Sequence, residues 1–492
     1  MNPSADHESD MVALESLGGA CSVALTTVLG QQKVLTPGTT AYTDALESYF
    51  SVQQESMRPA CIVSPQNVQD VSIAVKKLVE LHDQGQSCLF AIRSGGHTSW
   101  AGASNIQGGP VIDLRALDAI HLSSDKSTVE VGVGATWGDV YSALDPVGLS
   151  VNGGRASTPG VGGLTLGSGV SYTSPRYGFT CDTVTKFEVV LADGSIVEAS
   201  GSNNQDLFWA LKGGVNNFGI VTRVTLQTFQ QEPVWSGTLY SLGTYADDVI
   251  RNFVNLNSAT SYDEYASVIT SFGYNAASNM TTVVNLLQYT KDVADDAPPA
   301  FEGFLAIPTI FKDTKVASMR ATTDVTATQN PAGVRSLTMA TTLVSTETVL
   351  KAAYAEWEAS YPAVTNVTNV FTLILEPLPP AIYKRHATEN ALGLGDRTDS
   401  LVIVELFASW TNAADDALVQ RTLHDLLRAI NKAAEELGAL DPYIFANYAY
   451  KDQDVMGSYG AASLSKLKQV RDRVDPKRIF TNLVPGGYKI LG

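Results

Sequence analysis

The sequence predicts an α+β protein of more than one domain, and three observations carry that expectation. At 492 residues the chain exceeds the size at which one hydrophobic core keeps growing. Up to about Thr228, short apolar strand patterns alternate with glycine-rich loops. From Val234 to Asp441 the glycine clusters disappear, and helical patterns alternate with isolated strand patterns. Helices covering one face of a mostly antiparallel sheet fit that second half. The segment QEPVWSG, Gln231 to Gly237, breaks the first pattern and predicts a boundary between domains at 1–232 and 233–442.

Taken in order, Val68 to Leu81 is a helix, since Val68, Val71, Val75, Leu78 and Val79 share one face. Leu89 to Ile92 is a short apolar run of strand type. Ser94, Gly95 and Gly96 follow it and bring consecutive backbone N–H groups to a surface without Cβ obstruction. Such a nest of amides binds anions, typically a diphosphate. His97 arrives at the same spot with a nucleophilic imidazole; the alternative is a tight turn with a core histidine. GASNIQGG (Gly102 to Gly109) leads into a strand at Val111 to Leu114, and GATWGDVY (Gly134 to Tyr141) follows one at Thr128 to Val133. Further on, Thr281 to Tyr289, Phe371 to Glu376 and Leu401 to Trp410 read as strands, and KDVADDAPP (Lys291 to Pro299) as an exposed loop. Ala417 to Leu437 is a helix whose stripe is Leu423, Leu426, Leu427, Ile430 and Ala434.

Composition narrows the function classes. A net charge of −17, with no basic stripe, argues against nucleic acid or an anionic membrane as partner. No apolar run reaches the length of a membrane span. Met1 to Leu14 is acidic and lacks the basic start and apolar core of a secretory signal, so the compartment is either intracellular or secretory after loss of a leader. The sequons at Asn279 and Asn366 fit secretion but also arise by chance. Four cysteines are too few for a disulfide scaffold. No paired histidine spacing, C-x-x-C, G-x-S-x-G or phosphate-binding P-loop is present, so no metal is expected.

Five more segments complete a collinear set: GVGGLTLGSG (Gly160 to Gly169), SPRYGFTCDTV (Ser174 to Val184), LFWALKGGVNNFGIVT (Leu207 to Thr222) and, near the end, NYAYKDQD (Asn447 to Asp454) with VDPKRIFTNLVPGGYKI (Val474 to Ile490). With RSGGHTSWAG (Arg93 to Gly102), this set resembles the fungal berberine-bridge-enzyme-like FAD-linked oxidases of the vanillyl-alcohol-oxidase superfamily. The likeness runs from about Cys61 to Phe229 and again from Tyr443 onward. It implies a PCMH-type FAD-binding domain of two α/β subdomains, with its core at about 57–232. A substrate domain follows, and a return segment at 443–492 packs back on the FAD domain. A nicotinamide-type fold is excluded: G-x-G-x-x-x-G in Glu130 to Val140 has the wrong spacing, and the following LSVNGGRAS (Leu149 to Ser157) lacks the ribose-binding acid.

The resemblance implies that the cofactor is gripped by Arg93, Ser94, Gly95, Gly96, Thr98 and Gly102 on one wall. On the other it implies Ser157, Thr158, Gly160, Gly163, Gly167 and Gly169. Gly214, Asn216, Gly219, Ile220 and Val221 would stand near the adenine, and Asn447 and Asn482 near the ring or ribityl chain. It gives His97 a covalent bond to the flavin. Many relatives add a second bond from a cysteine at the position of Ala156; alanine cannot form one, so attachment through His97 alone is expected. Pro159 replaces a small residue over the flavin, and Val170 a tyrosine of plant relatives. A disulfide between Cys21 and Cys61 is the bridge the resemblance suggests, with four reduced thiols as the other reading. Cys181 is expected in the core.

Glu405 is the one carboxylate in the apolar strand Leu401 to Trp410, and burial would raise its pKa into the range of a general base. Relatives place a Glu or Gln five residues before this tryptophan, facing the flavin; a structural salt bridge is the competing role. Glu376 ranks second, and Tyr448 matches a position close to the substrate. The expected activity is an oxidase: hydride passes from a small organic molecule to FAD, and oxygen returns it as hydrogen peroxide. A cyclase using FAD as scaffold and a carbohydrate oxidase are the alternatives. Substrate identity and oligomeric state are not readable.

Overall fold

The structure is a computed structural model that describes residues 18–491 except 87, 259–261, 276–279 and 294–296. Asn279 and part of the Lys291 to Pro299 loop therefore lie outside the described residues. Three sheets organise the chain. The first has four strands in the order Val34–Leu35, Cys61–Val63, Pro110–Asp113, Ala91–Arg93; the last three are parallel. The second is antiparallel around the long strand Ile220–Gln230, which pairs with Thr128–Gly132 on one side and Val184–Val190 on the other, and near its end also with Leu149–Val151. These two sheets and the helices between them form the half in which the resemblance places FAD, the FAD-side half.

The third sheet has eight antiparallel strands and begins with Val234–Leu242, inside the QEPVWSG break. Thus the interruption is confined to a few residues. At its centre Thr368–Leu378 and Leu401–Trp410 lie side by side, with Arg335–Val344 next. Side chains alternate between faces along each strand. Val402, Val404, Leu406 and Ala408 join Leu373, Leu375 and Met339 in a core beneath helices Ala246–Leu256, Glu347–Ser360 and Asp416–Glu436. The opposite face carries Ile403, Glu405, Phe407, Ile374 and Glu376 toward the FAD-side half. The almost wholly apolar sequence of Leu401–Trp410 is the signature of this two-sided burial.

The two expected helices are Val68–Asp83 and Asp416–Glu436. Asn67 caps the first by accepting the Asp70 N–H. The expected strand at Leu89 to Ile92 is shifted to Ala91–Arg93. The suggested bridge is corrected: Cys21 pairs with Cys88, while Cys61 is a buried free thiol. Helical residues 18–29 thus dock beside the first sheet through Cys88, whereas Cys61 lies inside that sheet and packs as a small apolar residue. Cys181 is buried and free, as expected.

Asn366 is exposed in the turn ahead of Thr368–Leu378, and Thr368 completes its sequon. Secreted from a eukaryotic host, the protein is expected to carry a glycan there. Glycosidase treatment should lower its mass, and Asn366→Gln should make that change smaller by one glycan.

Candidate active site

The strand Ala91–Arg93 ends in the loop Ser94 to Gly96. The Ser94 hydroxyl donates to the Val133 carbonyl at 2.6 Å and accepts the Gly162 N–H at 3.2 Å, tying this loop to the helix Val161–Leu166. Gly95 and Gly160 meet face to face: a Cβ on Gly95 would lie 2.5 Å from the Gly160 nitrogen. Only glycine permits that approach. Gly96 has φ +70. Two glycine loops therefore touch, and His97 emerges at their seam. Its Nε2 lies 3.1 Å from the Thr158 hydroxyl, and its ring stacks on Phe50 at 4.0 Å. The residue is half-buried, and desolvation pushes its pKa down to about 4. The imidazole is thus neutral at physiological pH, the form that acts as a nucleophile. Thr98 is exposed, and Gly102, with φ +92, lies beside Gly486 of the return segment.

Along the second wall, a Cβ on Gly163 would meet nothing within 4 Å. Gly167 packs on the Asn447 side chain, which accepts the Gly169 N–H at 3.0 Å and donates to the Leu164 carbonyl at 3.2 Å. Ser157 is buried, its carbonyl accepting the Gly138 N–H. At the far end, Asn216 donates to the Gly486 carbonyl and accepts from Lys489, each at 3.0 Å. Asn217 reaches Tyr488 and Ile490, and the Phe90 N–H donates to the Leu483 carbonyl. Gly214 packs on Ala210 and Phe218, and Gly219 on Val189 and Val190. Ile220 and Val221 pair with Val190 and Val189 alone, which leaves their other edge without a strand partner among the described residues.

At two of the expected cofactor contacts the side chain is engaged by the protein itself. Arg93 is fully buried, donates to the Ala45 and Ser48 carbonyls, and packs over Tyr49 at 3.6 Å, so its guanidinium braces the core. Asn447 spends its amide on the backbone of the glycine helix, so it shapes the wall. Asn482 is exposed at the end of the short helix Ile479–Asn482.

Across from this seam stands the free face of the third sheet. Ser99, two residues beyond His97, contacts Thr338 at 3.4 Å. Thr338 pairs with Phe407, and Ala340 with Glu405, so the His97 loop abuts the face that carries Glu405. Glu405 is 8% exposed and makes no hydrogen bond through its carboxyl among the described residues. Burial, and then the nearby Glu376 charge, push its pKa up to about 8 against an opposing pull from Arg155.

Glu376 holds the salt bridge that competed for Glu405. One Arg155 nitrogen lies 2.6 Å from both Glu376 oxygens and 2.6 Å from the Tyr448 hydroxyl, which in turn donates to Glu376 at 3.0 Å. Burial, the largest single influence, would lower the Arg155 pKa, yet the Glu376 charge and hydrogen bond together with Tyr448 and Tyr172 raise it. Burial raises Tyr448 well above the usual phenol range. The sequence reading missed Arg155, Phe50 and Lys489. A lone arginine in the glycine-rich VNGGRAS and a lone glutamate in the apolar LILEPLPP were the available signal, as opposite charges in segments that must both be buried. Lys489 is pushed down to about 7 by burial.

A neutral imidazole at a seam of touching glycine loops, roofed by a sheet bearing an unpaired carboxyl, fits an FAD-linked oxidoreductase. Comparison with known proteins agrees. The FAD binding domain family matches residues 59–200. The FAD-dependent monooxygenase sdcF of Emericella nidulans is 34% identical, over 96% of this chain and 98% of its own. CTB5 of Cercospora beticola, also an FAD-dependent monooxygenase, is 34% identical over 98% of this chain and 94% of its own. Oligopeptidase PhomG' of Diaporthe leptostromiformis is 57% identical, but this chain spans only 38% of its length, so that name belongs to a much longer protein. In fold, the chain is similar to 6-hydroxy-D-nicotine oxidase of Arthrobacter nicotinovorans, with TM-score 0.78 and 21% identity over 93% of this chain and 97% of that one. Xylooligosaccharide oxidase of Myceliophthora thermophila gives 0.74 and 21% over 95% and 99%. The chain belongs to the same family as these fungal FAD-dependent monooxygenases, a family of FAD-linked oxidoreductases.

Proposed function

We propose that the protein is an oxidase of a small organic molecule, an alcohol, amine or activated C–H compound of secondary metabolism, with FAD attached through His97 alone. The glycine seam fits the cofactor: side chains are excluded where the loops touch, the Gly163 wall is open, and Ala156 offers no second thiol. Ser94 to Gly96 and Thr158 to Gly163 would hold the cofactor, with Ile220, Val221 and Asn216 toward its adenine. Bound FAD supplies a two-electron acceptor that oxygen restores, releasing hydrogen peroxide.

Glu405 is the observation that carries the reading. As the substrate carbon gives up hydride, its O–H or N–H proton passes to the Glu405 carboxylate, so two electrons and two hydrogens leave the substrate together. Tyr448, locked between Arg155 and Glu376, orients the substrate. Arg155 is already neutralised by Glu376, which favours uncharged or cationic substrates over carboxylates.

Anaerobic mixing with candidate alcohols, amines and phenols tests this. Substrate should bleach the yellow flavin, and the bleaching rate should rise with pH through about 8, because only ionised Glu405 accepts the proton. A rate that falls over that range opposes the base role. Glu405 protonated at neutral pH supports a second reading, a cyclase in which it acts as an acid. In that case product forms without bleaching. The relatives' name adds oxygen insertion as an outcome, which heavy-oxygen gas distinguishes by mass.

A further inference from the structure

Arg155, Glu376 and Tyr448 come from a glycine-rich loop of the FAD-side half, a central strand of the third sheet and the return segment, 221 and 293 residues apart. All three meet at one guanidinium nitrogen in a buried position. We propose that Arg155 is a positioning residue of the reaction: it locks Glu376 and Tyr448 into one closed unit and leaves Glu405 as the carboxyl free to exchange a proton with the substrate. This inference rests on the proposed role of Glu405.

The sheet register explains why the lock matters. Glu405 pairs with Ile374, and Glu376 with Ile403, so the two acids sit diagonally on one face of adjacent strands. Diagonal neighbours on adjacent strands lie close enough to interact. Two carboxylates that close in a dry site cannot both stay charged unless a cation serves one of them. Arg155 makes that choice by geometry, since its nitrogen reaches both Glu376 oxygens, while Glu405 is left unbonded. Facing Arg155 are Glu376, Tyr448, Tyr172 and Tyr262; facing Glu405 are Glu376, Arg155 and Tyr448. The Tyr172 hydroxyl donates to the Arg155 carbonyl at 2.9 Å and fixes that loop from behind. Arg155 precedes Thr158, which touches His97, by only three positions, and Tyr448 follows Asn447, which clamps the glycine wall. The lock is therefore built on the same two segments that hold the cofactor.

Infrared difference spectroscopy of the purified flavoprotein across pH tests the proposal without any substrate. The wild type should show one protonated carboxyl band that vanishes with a midpoint near 8 and is absent in Glu405→Gln. In Glu376→Gln, which removes the neighbouring negative charge, the midpoint should fall by about one pH unit or more. Arg155→Met should add a second protonated carboxyl band as Glu376 loses its counter-ion, and Arg155→Lys should suppress that band again. If the Glu405 band is present but identical in every Arg155 and Glu376 variant that keeps its flavin and melting temperature, the role of Arg155 is overturned and that of Glu405 stands. Absence of any Glu405 band removes both. Should Arg155→Met fail to fold, Glu376→Gln decides through its midpoint.

Discussion

Acid precipitation of the wild-type protein is expected to leave the yellow colour in the pellet, and His97→Ala to move essentially all of it into the supernatant. The imidazole is neutral, stands at the mouth of the glycine seam, and is held by the Phe50 stack and the Thr158 hydroxyl in one orientation. Both contacts reduce the entropy lost when a bond to the cofactor forms. Ala156 excludes a thioether, so one substitution removes the whole covalent attachment. Absorbance of the two fractions, with the mass of the peptide bearing His97, reads the result. A yellow pellet in His97→Ala would assign the link elsewhere, and a colourless wild-type pellet would mean no link at all.

Glu405→Gln is expected to lower turnover by about 10² to 10⁴-fold while flavin content stays unchanged, the usual range for loss of a general base. The same variant should gain stability, and the sign follows from the folded-state pKa, raised from 4.5 to about 8. Below 4.5 the carboxyl is protonated in both folded and unfolded chains. As pH climbs toward 8 the unfolded chain ionises while the folded one resists, so stability drains away across that window. Glutamine has nothing to ionise. At pH 8 the variant should be the more stable protein, by on the order of a few kcal/mol, whereas near pH 4 the two should melt alike. A variant that loses both turnover and stability at pH 8 would mark Glu405 as structural. Loss of activity with gained stability is the pattern of a group kept for chemistry.

What sequence reasoning reached follows from the range of the forces involved. Val68–Asp83 and Asp416–Glu436 were legible because an apolar stripe repeats within each segment. Leu401–Trp410 was legible because burial on both faces leaves an apolar run broken only by Glu405 and Ser409. Strands such as Phe311–Ala317, largely exposed along its length, carry no such pattern and owe their conformation to pairing with Val234–Leu242. The glycine loops showed their chemistry locally, since a backbone nest needs only neighbouring residues. Side-chain destinations did not. Arg93 and Arg155 both flank glycine-rich loops, yet one braces Tyr49 and the other meets Glu376 across the molecule. Likewise, the expected alternatives for Cys21 were a bridge to Cys61 or a reduced thiol, and the bridge to Cys88 depends on where residues 18–29 pack, which one sequence does not display.

The way Leu483 to Ile490 threads back among Phe90, Gly102, Asn216 and Asn217 has a consequence for biogenesis. During translation the amino-terminal loops leave the ribosome hundreds of residues before the stretch that braces them. The bracing of these loops is therefore complete only once synthesis has passed residue 490, and a nascent chain stalled earlier is expected to capture flavin poorly.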